Sequence, residues 1–318
     1  MKKSTGVLIT NIGSPDSSSV HDVRRYLKSF LSDPHVVRIP RILWQPILNL
    51  LILRIRAPYS AKLYQSIWTP EGSPLTVMME RLKKKLEKHL CSQWNKPVFV
   101  ECGMHYGNPS IAEALEKLRA RTIETLFVLP LFPQYSTATT QTTYHQMKHH
   151  VSEHSPFKLK FISHYSDRPE YITALARHIQ EHHDPKRYLL FSFHGLPKHF
   201  VTQGEHYAKS CHQTAHDVAA ELHLSEDQWS MAYQSRIGYA RWLTPYTFDV
   251  LRQLPQRGIH HLSIICPGFS VDCLETLEEI QLRGKHEFLG HGGQLFHYIP
   301  ALNDSDRHVE TLGRILGF

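Results

Sequence analysis

A single histidine and a short run of carboxylates carry the most specific chemistry in this sequence. The apolar segment YLLFSF ends at His194, which is followed by Gly195, Leu196 and Pro197. An imidazole at the end of a buried strand, released by glycine and proline, stands where an open α/β sheet binds its ligands. It can also take a proton near neutral pH. A packed or surface imidazole is the plainer alternative for such a residue taken alone. The second segment, PGFSVDCLETLEE at 267–279, leaves a strand and enters a helix. With α-helical spacing, Asp272, Glu275 and Glu279 fall within about 60° of one another and share a face. Their repulsion would be tolerated on an exposed helix, and Asp272 could equally cap the helix with Glu275 completing a capping box. Taken together, the two segments offer imidazole and carboxylate from strand ends of the same half of the chain. A borderline divalent cation such as Fe2+ accepts both.

Other chemistries fit less well. GFSVD at 268–272 nearly spells the G-x-S-x-G elbow of serine hydrolases, but its fifth residue is Asp272. Neither dinucleotide nor P-loop glycine pattern occurs, which argues against a nucleotide enzyme. Histidine is abundant, at 24 residues, with i,i+4 pairs at His145/His149, His178/His182 and His212/His216. Such pairs can hold a metal, but no third ligand stands beside any of them in the sequence, so they read as polar helix faces. The five cysteines, Cys91, Cys102, Cys211, Cys266 and Cys273, include no C-x-x-C pair. With no signal peptide at Met1–Gly6, they suit a reducing cytoplasm.

The elements that position these residues follow from apolar patterning. Eight segments read as strands, beginning near Gly6, Pro97, Thr125, Leu159, Tyr188, Ser230, His260 and Gln294. Several are continuous apolar runs, as strands become when helices cover both sheet faces. Helical stripes such as Ile111/Leu115/Leu118 and Ile172/Leu175/Ile179 lie between them. Alternating strand and helix implies a parallel α/β fold. The strands divide into two similar sets of four. In each set the third strand breaks at proline before an aromatic and a serine, FPQYS at 132–136 and CPGFS at 266–270. The expected organisation is a first α/β lobe over 1–168, with an insertion at about 14–96, and a second over 169–318. A last helix, Ser305 to Leu316, should pack back across the lobes.

Composition sets outer bounds. A chain of 318 residues, 41% hydrophobic and 20% charged, is globular and long enough for two cores. The net charge of +7 suits nucleic acid, lipid headgroups or a ligand with carboxylates. The densest basic cluster, Arg81 to Lys88, lies on a helix whose apolar positions are Leu75, Met78, Leu82 and Leu86, and reads as a solvated face. No nucleic-acid partner is expected. The apolar stretch Ile42 to Ile55 is interrupted by Gln45, Pro46 and Asn49 and falls short of the about 20 residues a membrane span needs. Flanked by Arg38, Arg41, Arg54 and Arg56, it is either a buried lid or a lip, through Leu43, Ile47, Leu50 and Leu51, resting on a membrane surface.

Beyond these readings, SFHGLP around His194, YQSRIGYARWLTPYT at 233–247 and CPGFSVDCLETLEEI at 266–280 resemble the ferrochelatases, particularly the proteobacterial type. The similarity extends to GVLITNIGSPDS, FLSDPHVV, EGSPL at 71–75 and FPQYST at 132–137. It implies the class II chelatase fold, two Rossmann-like lobes with a porphyrin cleft between them. It also implies a lyase inserting Fe2+ into a porphyrin, protoporphyrin IX, to give haem b at the end of haem biosynthesis. Coproporphyrin III is the alternative substrate, and a non-catalytic porphyrin or haem carrier the alternative function. By resemblance His194 and Glu275 are catalytic and face each other across the tetrapyrrole, and both meet the metal. Glu279 follows one turn on as a weaker ligand. Ile12, Arg56, Tyr64, Ser73, Tyr135, Tyr207 and Trp242 fall on porphyrin-binding positions, Arg56 suiting a propionate. Two positions depart from some relatives, Cys273 for histidine and Arg283 for a carboxylate. No cofactor is expected to stay bound, and no [2Fe-2S] cluster, since the last cysteine is Cys273. The expected protein is a cytoplasmic monomer, with peripheral membrane contact as the open alternative.

Overall fold

The computed structural model describes residues 4–37, 39–94, 96–151, 157–202, 206–236 and 240–318. Each expected strand forms: β1 Ser4–Asn11, β2 Val98–Met104, β3 Ile123–Pro130, β4 Lys158–Phe161, β5 Tyr188–His194, β6 Trp229–Gln234, β7 His261–Ile265 and β8 Leu295–Ile299. All pairings are parallel, in two four-stranded sheets ordered β2-β1-β3-β4 and β6-β5-β7-β8. The two orders are the same once four is subtracted from the second, so the repeat visible in sequence is a repeat of topology. Val7, Leu8 and Ile9 of β1 and Leu189, Leu190 and Phe191 of β5 are fully enclosed. Burial on both sheet faces is why these central strands are apolar without alternation.

Two compact units contain these sheets. The first takes the chain to Leu131, then Thr137–Ser163 and Leu312–Phe318; the second takes Phe132–Ser136 and His164–Thr311. In the first, the helix Ile111–Arg119 starts at a capping box in which Ser110 and Glu113 bond each other's backbone amides. It lays Ile111, Leu115 and Leu118 against Leu8, Leu126 and Val128. In the second, Leu251, Leu254, Ile280 and Phe288 pack on Leu190, Leu262 and Ile264.

The insertion between β1 and β2 holds the helices Val20–Leu31, Arg41–Ile47, Leu53–Ile67 and Pro74–Gln93, with Leu48–Ile52 wound as π-helix. The helix Pro74–Gln93 buries Leu75, Met79, Leu82, Leu86 and Leu90, so Met79 fills the place expected of Met78. Arg81, Lys84, Lys85 and Lys88 line its exposed side, a solvated face. The stretch 42–55 is not a buried lid. Ile42 is 88% exposed, Leu43 63%, Leu50 64%, Leu51 53% and Ile55 64%, while Leu48 and Leu53 are buried and Trp44 Nε1 donates to Leu31 O at 2.7 Å. Arg38 lies outside the described residues. No described helix is long and apolar enough to cross a membrane.

Candidate active site

β5 ends at His194, paired in register with Gln234, the last residue of β6. The chain turns at once: Gly195 N donates to Gln234 O at 2.8 Å. A Cβ on residue 195 would stand 2.7 Å from that carbonyl and 3.3 Å from the Trp242 ring, so only glycine fits this approach. His194 Nδ1 lies 2.7 Å from the Gly195 carbonyl. A carbonyl only accepts, so Nδ1 carries the proton and Nε2 keeps its lone pair. Tyr207 opens the helix Tyr207–Glu221 and donates its hydroxyl to His194 O at 2.9 Å. The Phe269 ring stands 6.3 Å from the imidazole. The peptide after His194 is therefore held at both its carbonyl and its N–H while the residue stays partly exposed.

The acidic segment departs from α-helical geometry. Glu275–Gly284 is a π-helix of ten residues, whose wider turn closes on i+5 rather than i+4. That register brings Arg283 back onto Glu278, with Arg283 Nε donating to both carboxylate oxygens at 2.8 Å. In an α-helix these two side chains would point well apart. Glu275, Glu279 and Arg283 recur every fourth residue, close to one wide turn, so the carboxylates do share a side. Asp272 does not join them. It sits before the helix, buried, and accepts from Tyr298 Oη at 2.5 Å, Asn303 Nδ2 at 2.7 Å and Thr276 Oγ1 at 2.8 Å. The expected capping box does not form, since Asp272 N donates to Asn303 Oδ1 at 2.8 Å and not to Glu275.

Glu279 is the deeper carboxylate, 6% exposed. It accepts from Ser235 N at 2.8 Å and from Ser235 Oγ at 2.5 Å. Burial raises its pKa above the usual carboxylate value of 4.5, against the pull of the Ser235 donors, Arg283 and His194. Ser235 reaches this position through a left-handed backbone, φ 66°. Glu275 is half-exposed, and its carbonyl accepts from Gln234 Nε2 at 2.7 Å. Gln234 Oε1 in turn accepts from Ser192 Oγ at 2.7 Å, tying the helix start to the centre of β5. Cys273 bonds the Glu275 side chain. Burial and then the Glu275 charge push its thiol pKa up, so it stays a neutral donor.

The second unit therefore assembles His194, Tyr207, Trp242, Glu275 and Glu279, and holds the half-buried Tyr135 on its Phe132–Ser136 segment. The first unit holds the remaining four sequence-predicted residues. Ile12 follows β1 and donates its amide to Asn11 Oδ1 at 2.7 Å. Arg56 and Tyr64 lie two turns apart on Leu53–Ile67, Arg56 half-buried and Tyr64 enclosed beside Tyr26 and Trp68. Ser73 precedes Pro74 at the start of the next helix. Gln234 and Ser235 carry no assigned role in the sequence, although the motif YQSRIGYARW contains them. Their roles rest on contacts some 40 positions away in the chain, between Gln234 and Glu275 and between Ser235 and Glu279.

An imidazole with one open lone pair, a graded pair of carboxylates and a doubled parallel α/β fold define a metal-handling enzyme of the chelatase type. The fold is shared with SirB from Bacillus subtilis, solved with Fe3+, at TM-score 0.59 and 9% identity over 99% of this chain and 94% of that one. CbiX, described as the terminal enzyme for biosynthesis of siroheme in denitrifying bacteria, matches at TM-score 0.50 and 11% identity, over 99% of this chain and 98% of that one. Residues 4–316 match the ferrochelatase family model. The chain is 49% identical to the ferrochelatase of Methylococcus capsulatus over 97% of its length and 94% of the relative's, and 46% identical to that of Actinobacillus pleuropneumoniae over 98% and 97%. It belongs to the ferrochelatase family.

Proposed function

We propose that this chain inserts Fe2+ into protoporphyrin IX to give haem b, with His194 as the base for pyrrole protons and Glu275 and Glu279 guiding the metal. The observation that carries this reading is the fixed tautomer of His194. With Nδ1–H committed to Gly195 O, Nε2 is presented as an acceptor on a ring that cannot swing away. Glu275, half-exposed, suits first contact with the cation, and Glu279, deeper and anchored by Ser235, suits holding charge behind it. The porphyrin-binding assignments Ile12, Arg56, Tyr64, Ser73, Tyr135, Tyr207 and Trp242 belong to the same reading, as does operation without an iron–sulfur cluster. Cys102, Cys211, Cys266 and Cys273 are buried, with thiol pKa values pushed up by burial, which makes them poor cluster ligands. An anaerobic assay with Fe2+ and, separately, protoporphyrin IX and coproporphyrin III tests this. Preferred turnover of coproporphyrin would overturn the substrate, and porphyrin binding without turnover would make the protein a carrier.

Membrane contact is the second part of the reading, carried by the exposed row Ile42, Leu43, Ile47, Leu50, Leu51 and Ile55 beside Arg41 and Arg54. An apolar face flanked by cations can lie in the headgroup region of an anionic bilayer. Replacing Ile47 and Leu51 with serine should weaken binding to anionic vesicles and slow turnover of vesicle-delivered porphyrin, while sparing turnover of detergent-solubilised porphyrin. Equal loss in both assays would overturn the membrane reading.

A further inference from the structure

The helix Pro169–His182 runs into the sequence HIQEHH, and its last turn gathers ligands beside β8, the outer strand of the second sheet. One ligand atom from each of His178, Glu181 and His182 falls within 4.8 Å of the other two, the one such group of three among the described residues. Read as an i,i+4 pair, His178/His182 shows no third partner, although Glu181 stands between them. The fold supplies Glu181 by turning it onto the same end of the helix.

The two rings are already set as ligands are set. His178 Nε2 stands 3.0 Å from Pro300 O, and His182 Nδ1 stands 2.8 Å from His178 O. Each nitrogen facing a carbonyl must carry the proton, which leaves a lone pair on His178 Nδ1 and on His182 Nε2. Metal-binding histidines are oriented in this way, through the other ring N–H on a backbone carbonyl. Glu181 accepts Arg307 on both oxygens, at 2.6 and 2.7 Å, and still has lone pairs to offer. That pairing also neutralises the nearest guanidinium.

The surrounding charges permit a cation. Arg187 lies toward Asp184 at 3.9 Å. His178 is buried, whereas Glu181 and His182 are exposed, and it is these two that would draw in to reach ligand bonds of about 2.0–2.2 Å. The H-x-x-E-H order matches a class of zinc peptidase, but a Glu181 engaged by Arg307 is not placed to act as a base. The geometry supports binding and not hydrolysis.

We propose that His178, Glu181 and His182 form a peripheral site for a borderline divalent transition-metal ion, separate from the site of metal insertion. Separation follows from the sheet: the ligands sit beside β8, two strands and about 10 Å across from β5. His182 is further removed, since His297, whose ring bonds its main chain, pairs with Ser263 and Ser263 with Leu189, about 16 Å along β5 from His194. Zn2+ is the probe, and the full chain carrying His194→Ala and Glu275→Gln removes competition from the catalytic residues. Equilibrium dialysis should find one equivalent of Zn2+ in that protein. Adding His182→Gln or Glu181→Gln should weaken it at least tenfold, with the metal-free melting temperature unchanged and no competition from Mg2+. In the otherwise native chain, His182→Gln should leave Fe2+ insertion intact. No bound Zn2+ in the starting protein, or unchanged affinity in both natively folded variants, would overturn the site. A matching fall in Fe2+ insertion would overturn its separateness.

Discussion

The two sheets share one strand order, yet only one of them ends in reactive groups. After the second strand of each, a cis proline returns its carbonyl to the strand: Pro109 O accepts from Met104 N and Pro245 O from Tyr233 N, both at 2.8 Å. After the third strand of each, the chain enters a π-helix, Thr137–Gln141 in one unit and Glu275–Gly284 in the other. The first of these reads TATTQ and carries no charge. The second reads ETLEEIQLRG and carries three carboxylates. Strand-end histidines differ in the same way. His105, just past β2, is buried, bonds Thr143 Oγ1 at 2.6 Å, and has its pKa lowered by burial to about 4. His194 is clamped only through Nδ1 and keeps a partly exposed ring. Topology repeats the place where chemistry can occur; burial and the loop residues decide whether it does.

The sharpest break of this comparison is His194→Ala. It should cut metal insertion by about a thousandfold, the scale of a lost general base, while porphyrin still binds with similar fluorescence quenching. Near-native turnover would remove the functional asymmetry between the units. Glu275→Gln keeps shape without charge and should cost about a hundredfold in turnover at subsaturating Fe2+. Glu279→Gln should cost about tenfold, and an equal or larger loss than at Glu275 would reverse their order.

Glu279 also has a stability signature. Its folded pKa lies above 4.5, so between those values the native state holds more protons than the unfolded chain. Stability is gained below that window and lost as pH rises through it. Glu279→Gln should therefore show a shallower decline of urea midpoint on going from pH 4.5 upward. The smallest effect lies in the quiet unit and has the opposite sign. His105 is held neutral down to about pH 4, so acidification below 6.5 protonates the unfolded chain first and erodes stability. Between pH 7 and 5.5 this amounts to about 1 kcal/mol, and His105→Gln should flatten the stability curve by that amount. A curve as steep as that of the native chain would mean His105 is not excluded from protons.

Much of this molecule can be read from its residues. Uninterrupted runs such as GVLITN and YLLFSF identify central parallel strands because both faces of such strands are covered. The position of His194 followed from the same logic. The π-helix was not legible, because hydrophobic spacing over a few turns does not distinguish closure on i+4 from closure on i+5. With it went the Arg283–Glu278 pair and the true place of Asp272, which serves Tyr298, Asn303 and Thr276 instead of the acidic face. Exposure was hidden as well. Ile42 and Leu50 have the same side chains as core residues, and only the fold leaves them in water. The third ligand beside His178 and His182 does not stand out in sequence, because neighbouring polar residues on a helix end look like ordinary solvated surface.

The tautomer of His194 has a stoichiometric consequence. Metal insertion displaces two pyrrole protons, yet an imidazole whose Nδ1 hydrogen is committed to Gly195 O has room for only one more. The two departures cannot both end on this ring in one encounter. Either the first proton is relayed to solvent before the second leaves, or a different acceptor takes it. Turnover on this ring alone is thus obliged to pass through a half-deprotonated macrocycle, and its hydrogen isotope effect should divide into two separable steps.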